Sequence, residues 1–147
     1  VTPAPGAAHQ TAVGNLHLVL RAAVPDHLQV FLAPFDWVVS DSTVLQPDLM
    51  VCRRADVTPK HLAGPPLLAV EVLSPSTRSI DLGAKRLAMA AAAVATYWVV
   101  DPLVPSLTVF TNDGAGTLAD TAVVTAADRY ETDEPYPIAV TPAGLLR

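Results

Sequence analysis

Apolar and polar positions alternate along much of this chain, and the places where the alternation stops are the informative ones. Leu28, Val30 and Leu32 share one side of a segment, as do Phe35, Trp37 and Val39. This two-residue period predicts strands in LQVFLA and FDWVVS, joined near Pro34. QPDLMVCR reads as a third strand. LLAVEVL is almost continuously apolar, which predicts a central strand covered on both faces. TYWVVD and SLTVFT are two more strands, and TAVVTA and PIAV are weaker late ones. Helical spacing of Val13, Leu16, Leu20 and Val24 predicts a helix from about His9 to Ala23, ended by Pro25-Asp26. Ser79 can cap a second helix running to about Ala93. RADVTPKHLAGPP reads as a loop rich in turn residues. The order is helix, antiparallel strands, helix, strands, without an internal repeat or an interdomain linker.

Composition adds bounds. A chain of 147 residues suits one domain with one core, so residues 1–147 are expected to form a single unit. With 51% apolar and 16% charged residues, an ordered chain is expected. The longest apolar run, LAMAAAAVATYWVV, is alanine-rich and changes period midway, so no membrane span is expected. No signal peptide is expected from the residues at hand. The lone Cys52 excludes an internal disulfide and fits a reducing cytoplasm.

Net charge is −5, which argues against a broad nonspecific DNA footprint. Its distribution says more. The acidity sits in the C-terminal third, whereas six of the nine Lys and Arg residues lie between Arg53 and Arg86. That basic stretch brackets Glu71, the one carboxylate inside the apolar strand LLAVEVL. A buried carboxylate must be paired, hydrogen-bonded or holding a metal.

Asp48, in the preceding strand, supplies a second carboxylate, and Lys85 lies on the following helix. If that helix doubles back across the sheet, Glu71 and Lys85 reach comparable depth, roughly 7 Å against roughly 9 Å. Metal-assisted phosphodiester hydrolysis needs this kind of set. Hard Mg²⁺ prefers oxygen ligands, one or two carboxylates plus water and substrate phosphate. Asp48 and Glu71 are the candidate ligands, with the Val72 backbone carbonyl as a third. Lys85 can orient water or offset charge on phosphorus. The bland alternatives are a structural ion pair of Glu71 with Lys85 or Arg86, and a turn role for Asp48 after Pro47. Ser74, Ser76 and Thr77 read as a turn-and-cap cluster, with phosphate contact as the lesser option. Cys52, Trp37 and Trp98 read as core.

QPDLMV followed by LLAVEVLSPSTRSIDLGAKRLAMAAAAVATYWVVDP closely resembles the Uma-type family, restriction-endonuclease-like domains of the PD-(D/E)XK superfamily. The resemblance spans nearly the whole chain. It implies an α/β fold with a mixed central β-sheet flanked by helices. It also implies divalent-metal-dependent endonuclease chemistry on DNA with Mg²⁺ or Mn²⁺. By position, Asp48 and Glu71 resemble the motif acids. The lysine usual two residues after the second acid is Leu73 here, and the Uma-type pattern instead matches Lys85 on the helix. Asp81 matches an acidic position one turn earlier, and His9 a histidine near the start of the first helix. His9, Asp81 and Ser74 are expected to support the ligands rather than bind the metal.

The chain also departs from the family. Met89 stands where a tyrosine is common, and Ala93-Val94-Ala95-Thr96 replaces glycine-valine-proline-glutamate. The chain opens just after the place of an acid-bearing segment of the type YELIDGELV, so that strand segment is expected to be lacking. The alternative reading is therefore a catalytically degenerate module that binds nucleic acid or protein. A weaker one is a hydrolase of small phosphoesters. A homodimer is expected from the superfamily's habit of pairing to cut both strands.

Overall fold

The structure, a computed structural model, describes residues 5–75 and 81–147, and for residues 81 and 82 the backbone alone. Its elements are α1 (Ala7–Ala23), β1 (Leu28–Leu32), β2 (Asp36–Ser40), β3 (Thr43–Leu45), β4 (Leu49–Arg53), β5 (His61–Leu62), β6 (Leu68–Val72), α2 (Asp81–Ala91), β7 (Thr96–Asp101), β8 (Ser106–Asn112), β9 (Leu118–Thr125), β10 (Tyr130–Thr132) and β11 (Ile138–Val140). Short 3₁₀ turns occupy Arg54–Asp56 and Pro142–Leu146.

Six strands form the main sheet in the order β1-β4-β6-β7-β8-β9. Neighbours run antiparallel except β6 and β7, which are parallel and joined through α2. A parallel pair cannot be closed by a hairpin, and the helical crossover follows from that. The sheet is therefore mixed and the architecture α/β, as expected. Strand β6 is buried at every position, which fits its near-continuous apolar sequence.

Alternation along β6 divides the core in two. Leu68, Val70 and Val72 pack with Ala12, Leu16 and Leu20 of α1. Ala69 and Leu73 face the other way and pack with Met89 and Ala90 of α2, together with Trp37 of β2 and Leu62 of β5. Glu71 shares the parity of Ala69 and Leu73, so it projects a carboxylate into the α2 side. Cys52, Trp37 and Trp98 are all core residues.

Strand pairing goes beyond the sequence reading, and two details differ from it. Strands β1 and β2 do not pair with each other: β1 pairs with β4, while β2 joins β3 and β5 in a separate three-stranded sheet. Alternation identifies the buried face of a strand but not its partner, and Pro34 has no N–H with which to continue a ladder. The segment read as one loop contains β5, and β3 and β10 have no counterpart in the sequence reading. Strands of two and three residues are too short to display a period. Helix α2 ends at Ala91 rather than near Ala93. There Val94 N–H donates to the Met89 carbonyl and Ala93 N–H to the Ala90 carbonyl, closing the last turn with Ala93 at φ +66°. Ser76, Thr77 and the capping Ser79 lie outside the described residues. Among the described residues no helix is long and apolar enough to cross a membrane.

Candidate active site

The β4–β6 ladder pairs Leu49 with Val70, Met50 with Ala69 and Val51 with Leu68. One step further along the same register, Asp48 stands opposite Glu71. Both belong to the α2 face: Asp48 shares the parity of Met50 and Cys52, and Glu71 that of Ala69 and Leu73. Like charges directly opposed across a ladder are destabilising. Three groups answer them.

The first is backbone. Pro47 precedes Asp48 and has no N–H with which to extend the ladder. The N–H of Val72 donates instead to Asp48 Oδ2 at 2.8 Å. The second is His9, in the first turns of α1, whose Nε2 lies 3.4 Å from the same oxygen. The third is Lys85 on α2, whose Nζ lies 3.4 Å from Glu71 Oε2. The crossover that runs from β6 through α2 brings this ammonium back over the strand it left.

Glu71 is 8% exposed. Burial first, and then the neighbouring Asp48 charge, push its carboxyl up to about 8, while the Lys85 ammonium and its hydrogen bond pull the other way. A hydrogen bond between the Glu71 and Asp48 carboxyls also favours the protonated form. Burial and the facing carboxylate thus both favour the protonated form of Glu71.

This donor set fits a hard divalent cation. Two facing carboxylates repel, one of them is largely desolvated, and a metal ion would relieve both problems at once. Among the described residues no group of three or more His, Cys, Asp or Glu side chains could hold a metal together. Two carboxylates would suffice for Mg²⁺ completed by water and phosphate.

The structure thus brings together Asp48, Glu71, Lys85 and His9. At Val72 the contact observed is the N–H rather than the carbonyl named from the sequence. Val72 and Asp48 meet because a residue in an extended strand directs both of its backbone groups toward the same neighbour. Ser74 lies just past β6, half-buried and engaged with another group. Asp81 opens α2, and its side chain falls outside the described residues. Arg86 does not pair with Glu71: its guanidinium lies 5.0 Å over the Phe110 ring and 3.8 Å from Asp120. The sequence reading missed the Val72 N–H, because backbone donors leave no residue-type signal.

A mixed sheet with an acidic pair at the carboxyl end of a β–α–β crossover, and a lysine from the crossover helix above it, defines the class: a restriction-endonuclease-like α/β domain. The chain belongs to the Uma2 family, described as "Putative restriction endonuclease", whose sequence profile matches residues 1–141. Its fold is similar to that of a protein from Anabaena variabilis described as a putative nuclease belonging to DUF820. The TM-score is 0.70 at 17% identity, over 98% of this chain and 83% of the other. A search of curated proteins finds no match.

Proposed function

We propose that this protein is a divalent-metal-dependent endonuclease acting on DNA phosphodiester bonds, with Asp48 and Glu71 as ligands of Mg²⁺ or Mn²⁺. The observation that carries the reading is the register-opposed Asp48–Glu71 pair with Lys85 against it. Bound there, the cation supplies Lewis-acid stabilisation of a phosphoryl oxygen and a lowered pKa for the attacking water.

The chain's own groups divide the remaining work. Val72 N–H and His9 hold the Asp48 carboxylate in one orientation, so little ordering is left for the moment of binding. Glu71, once deprotonated, would be the second anionic ligand. The Val72 carbonyl, on the residue whose N–H meets Asp48, is the candidate third oxygen. Lys85, half-buried with its charge close to Glu71, can hold the water or neutralise charge gathering on the phosphoryl oxygens.

The test is incubation of the protein with plasmid DNA and Mg²⁺, repeated with Glu71→Ala and Lys85→Ala. Cleavage that is lost in both variants supports the assignment. Equal cleavage by parent and variants points to a contaminating nuclease and removes it. DNA binding that survives EDTA, with no cleavage under any metal, would replace it with the binding-module reading. Hydrolysis of a chromogenic phosphodiester but not of DNA would replace it with a small-substrate hydrolase.

A further inference from the structure

Beside the acidic pair, under the opposite flank of α2, lies a cavity of about 310 Å³. Its floor is the α2 face of β6, β7 and β8. Leu73 and Val99 are its apolar walls, Ser106 and Thr108 contribute hydroxyls, and Arg86 and Phe110 close one side. Val99 is the register partner of Glu71, so the cavity begins one strand away from the carboxylates. Lys85 and Arg86 are consecutive on α2. The helix therefore turns its lysine toward the acidic pair and its arginine toward the cavity.

We infer that this cavity is a nucleobase subsite that takes one unpaired base next to the scissile phosphate, so that the substrate is DNA with a single-stranded or extrudable nucleotide. The inference rests on the nuclease reading for its substrate class. Four observations carry it. The volume sits at the low end of the range for small-molecule sites, roughly 300–1,000 Å³, which suits one base rather than a base pair. The lining is apolar with a few polar groups, the pattern that orients a flat heterocycle. The hydroxyls of Ser106 and Thr108 can each donate and accept, and so can meet the edge of more than one base. The Arg86 guanidinium already sits over the Phe110 ring, and its side chain is 44% exposed, so a planar cation at the cavity's edge is accessible to a base.

Two neighbouring groups limit what the site reads. The Asp101 carboxylate also lines the cavity, but its Oδ1 accepts the N–H groups of Leu103 and Val104, which commits it to the β7–β8 turn. The Asp120 contact of Arg86 is long at 3.8 Å and joins two largely exposed side chains, so it is weak and readily exchanged. A base stacked within a duplex cannot enter a recess between α2 and the sheet, and must leave the stack to do so.

The experiment measures binding, not cleavage. The Glu71→Gln protein, which cannot retain the acidic pair's second charge, is titrated against an oligonucleotide carrying one 2-aminopurine, either single-stranded or in a duplex. The expected result is about tenfold tighter single-strand binding, with a change in 2-aminopurine fluorescence. Thr108→Trp, which fills the cavity, should weaken single-strand binding about tenfold and remove the fluorescence change. Arg86→Lys keeps the charge but loses the plane. Its exposed position makes it a mild change, and it should weaken binding about fivefold. Single-strand binding unchanged in Arg86→Lys and in a folded Thr108→Trp would overturn the inference, as would equal affinity for the two oligonucleotides. A protein that passes this test yet cuts no DNA would sink the proposed function and leave the base site standing. A protein that cuts DNA but fails the test would do the reverse.

Discussion

Asp48 lies directly across the β4–β6 ladder from Glu71, one register step beyond the Leu49–Val70 pair. Opposed carboxylates at a buried position are a liability for the fold and an asset for binding a cation. The same electrostatics governs both, so pH should expose it. Glu71 has its carboxyl raised from 4.5 to about 8 in the folded protein, by burial first and Asp48 second. Its protonated form stabilises the fold relative to the ionised form. That contribution is fully present below 4.5 and is lost as pH rises through about 8. In EDTA, stability should therefore fall between pH 5 and pH 8, by at most roughly 1.4 kcal/mol per pH unit from this group. Glu71→Gln should flatten that slope. Mn²⁺ should restore stability most strongly above pH 8, where no proton has to be displaced. Thermal denaturation across pH, with and without Mn²⁺, measures all three. A slope identical in parent and Glu71→Gln would show that the carboxyl is not perturbed.

Lys85 tests the chemistry separately from the metal. Its Nζ contacts Glu71 Oε2, yet its side chain is 42% exposed, so its loss should cost the fold little. Lys85→Ala should lower the DNA cleavage rate by about 10²–10³-fold, the range for losing one stabilising charge at a reacting centre. Because Lys85 pulls the Glu71 carboxyl downward, its removal should also move the pH profile of metal binding to higher pH. Lys85→Arg should recover part of both effects. A rate loss without a shift of the profile would separate Lys85 from Glu71.

His9 is the contact that joins the two faces of the sheet. It comes from α1, which packs against the opposite side, and its Nε2 reaches Asp48 Oδ2 while the Nδ1 is buried without a partner among the described residues. Orienting contacts to a metal ligand typically matter by about 10–100-fold in affinity. His9→Ala should weaken Mn²⁺ binding by that range, measured by calorimetry, with a smaller loss in His9→Gln. Unchanged affinity in His9→Ala would reduce the histidine to a packing role.

Most of the scaffold was readable because the signals were local. The spacing of Leu16 and Leu20 marks α1, and the unbroken apolar run around Val70 marks a central strand. Asp48, Glu71 and Lys85 stood out because a charge inside an apolar strand needs a partner, and the next helix carried one. What stayed hidden depends on pairing and on backbone groups. Nothing in LQVFL indicates that β1 will pair with β4 rather than β2, since both solutions bury Leu28 and Val30 equally well. The Val72 N–H contact and the placement of Arg86 over Phe110 arise only after β6, α2 and β8 are assembled.

Ala93 tests the construction of α2 itself. The helix closes with Val94 N–H on the Met89 carbonyl and Ala93 N–H on the Ala90 carbonyl, a termination that requires a left-handed residue at position 93. Glycine is the usual occupant because it lacks the Cβ that crowds the following carbonyl, whereas this chain holds alanine there at φ +66°. Alanine in that region costs roughly 1 kcal/mol, and the greater freedom of glycine in the unfolded chain takes back part of the gain. Ala93 is exposed, so replacing it removes no core packing. Ala93→Gly should therefore stabilise the protein by about 0.5 kcal/mol and raise Tm by about 1–2 °C. Ala93→Val, whose branched side chain tolerates a positive φ least, should lower Tm by more than that. Thermal denaturation of the two variants beside the parent decides the point. A Tm lowered by glycine would mean that α2 does not end in this left-handed turn.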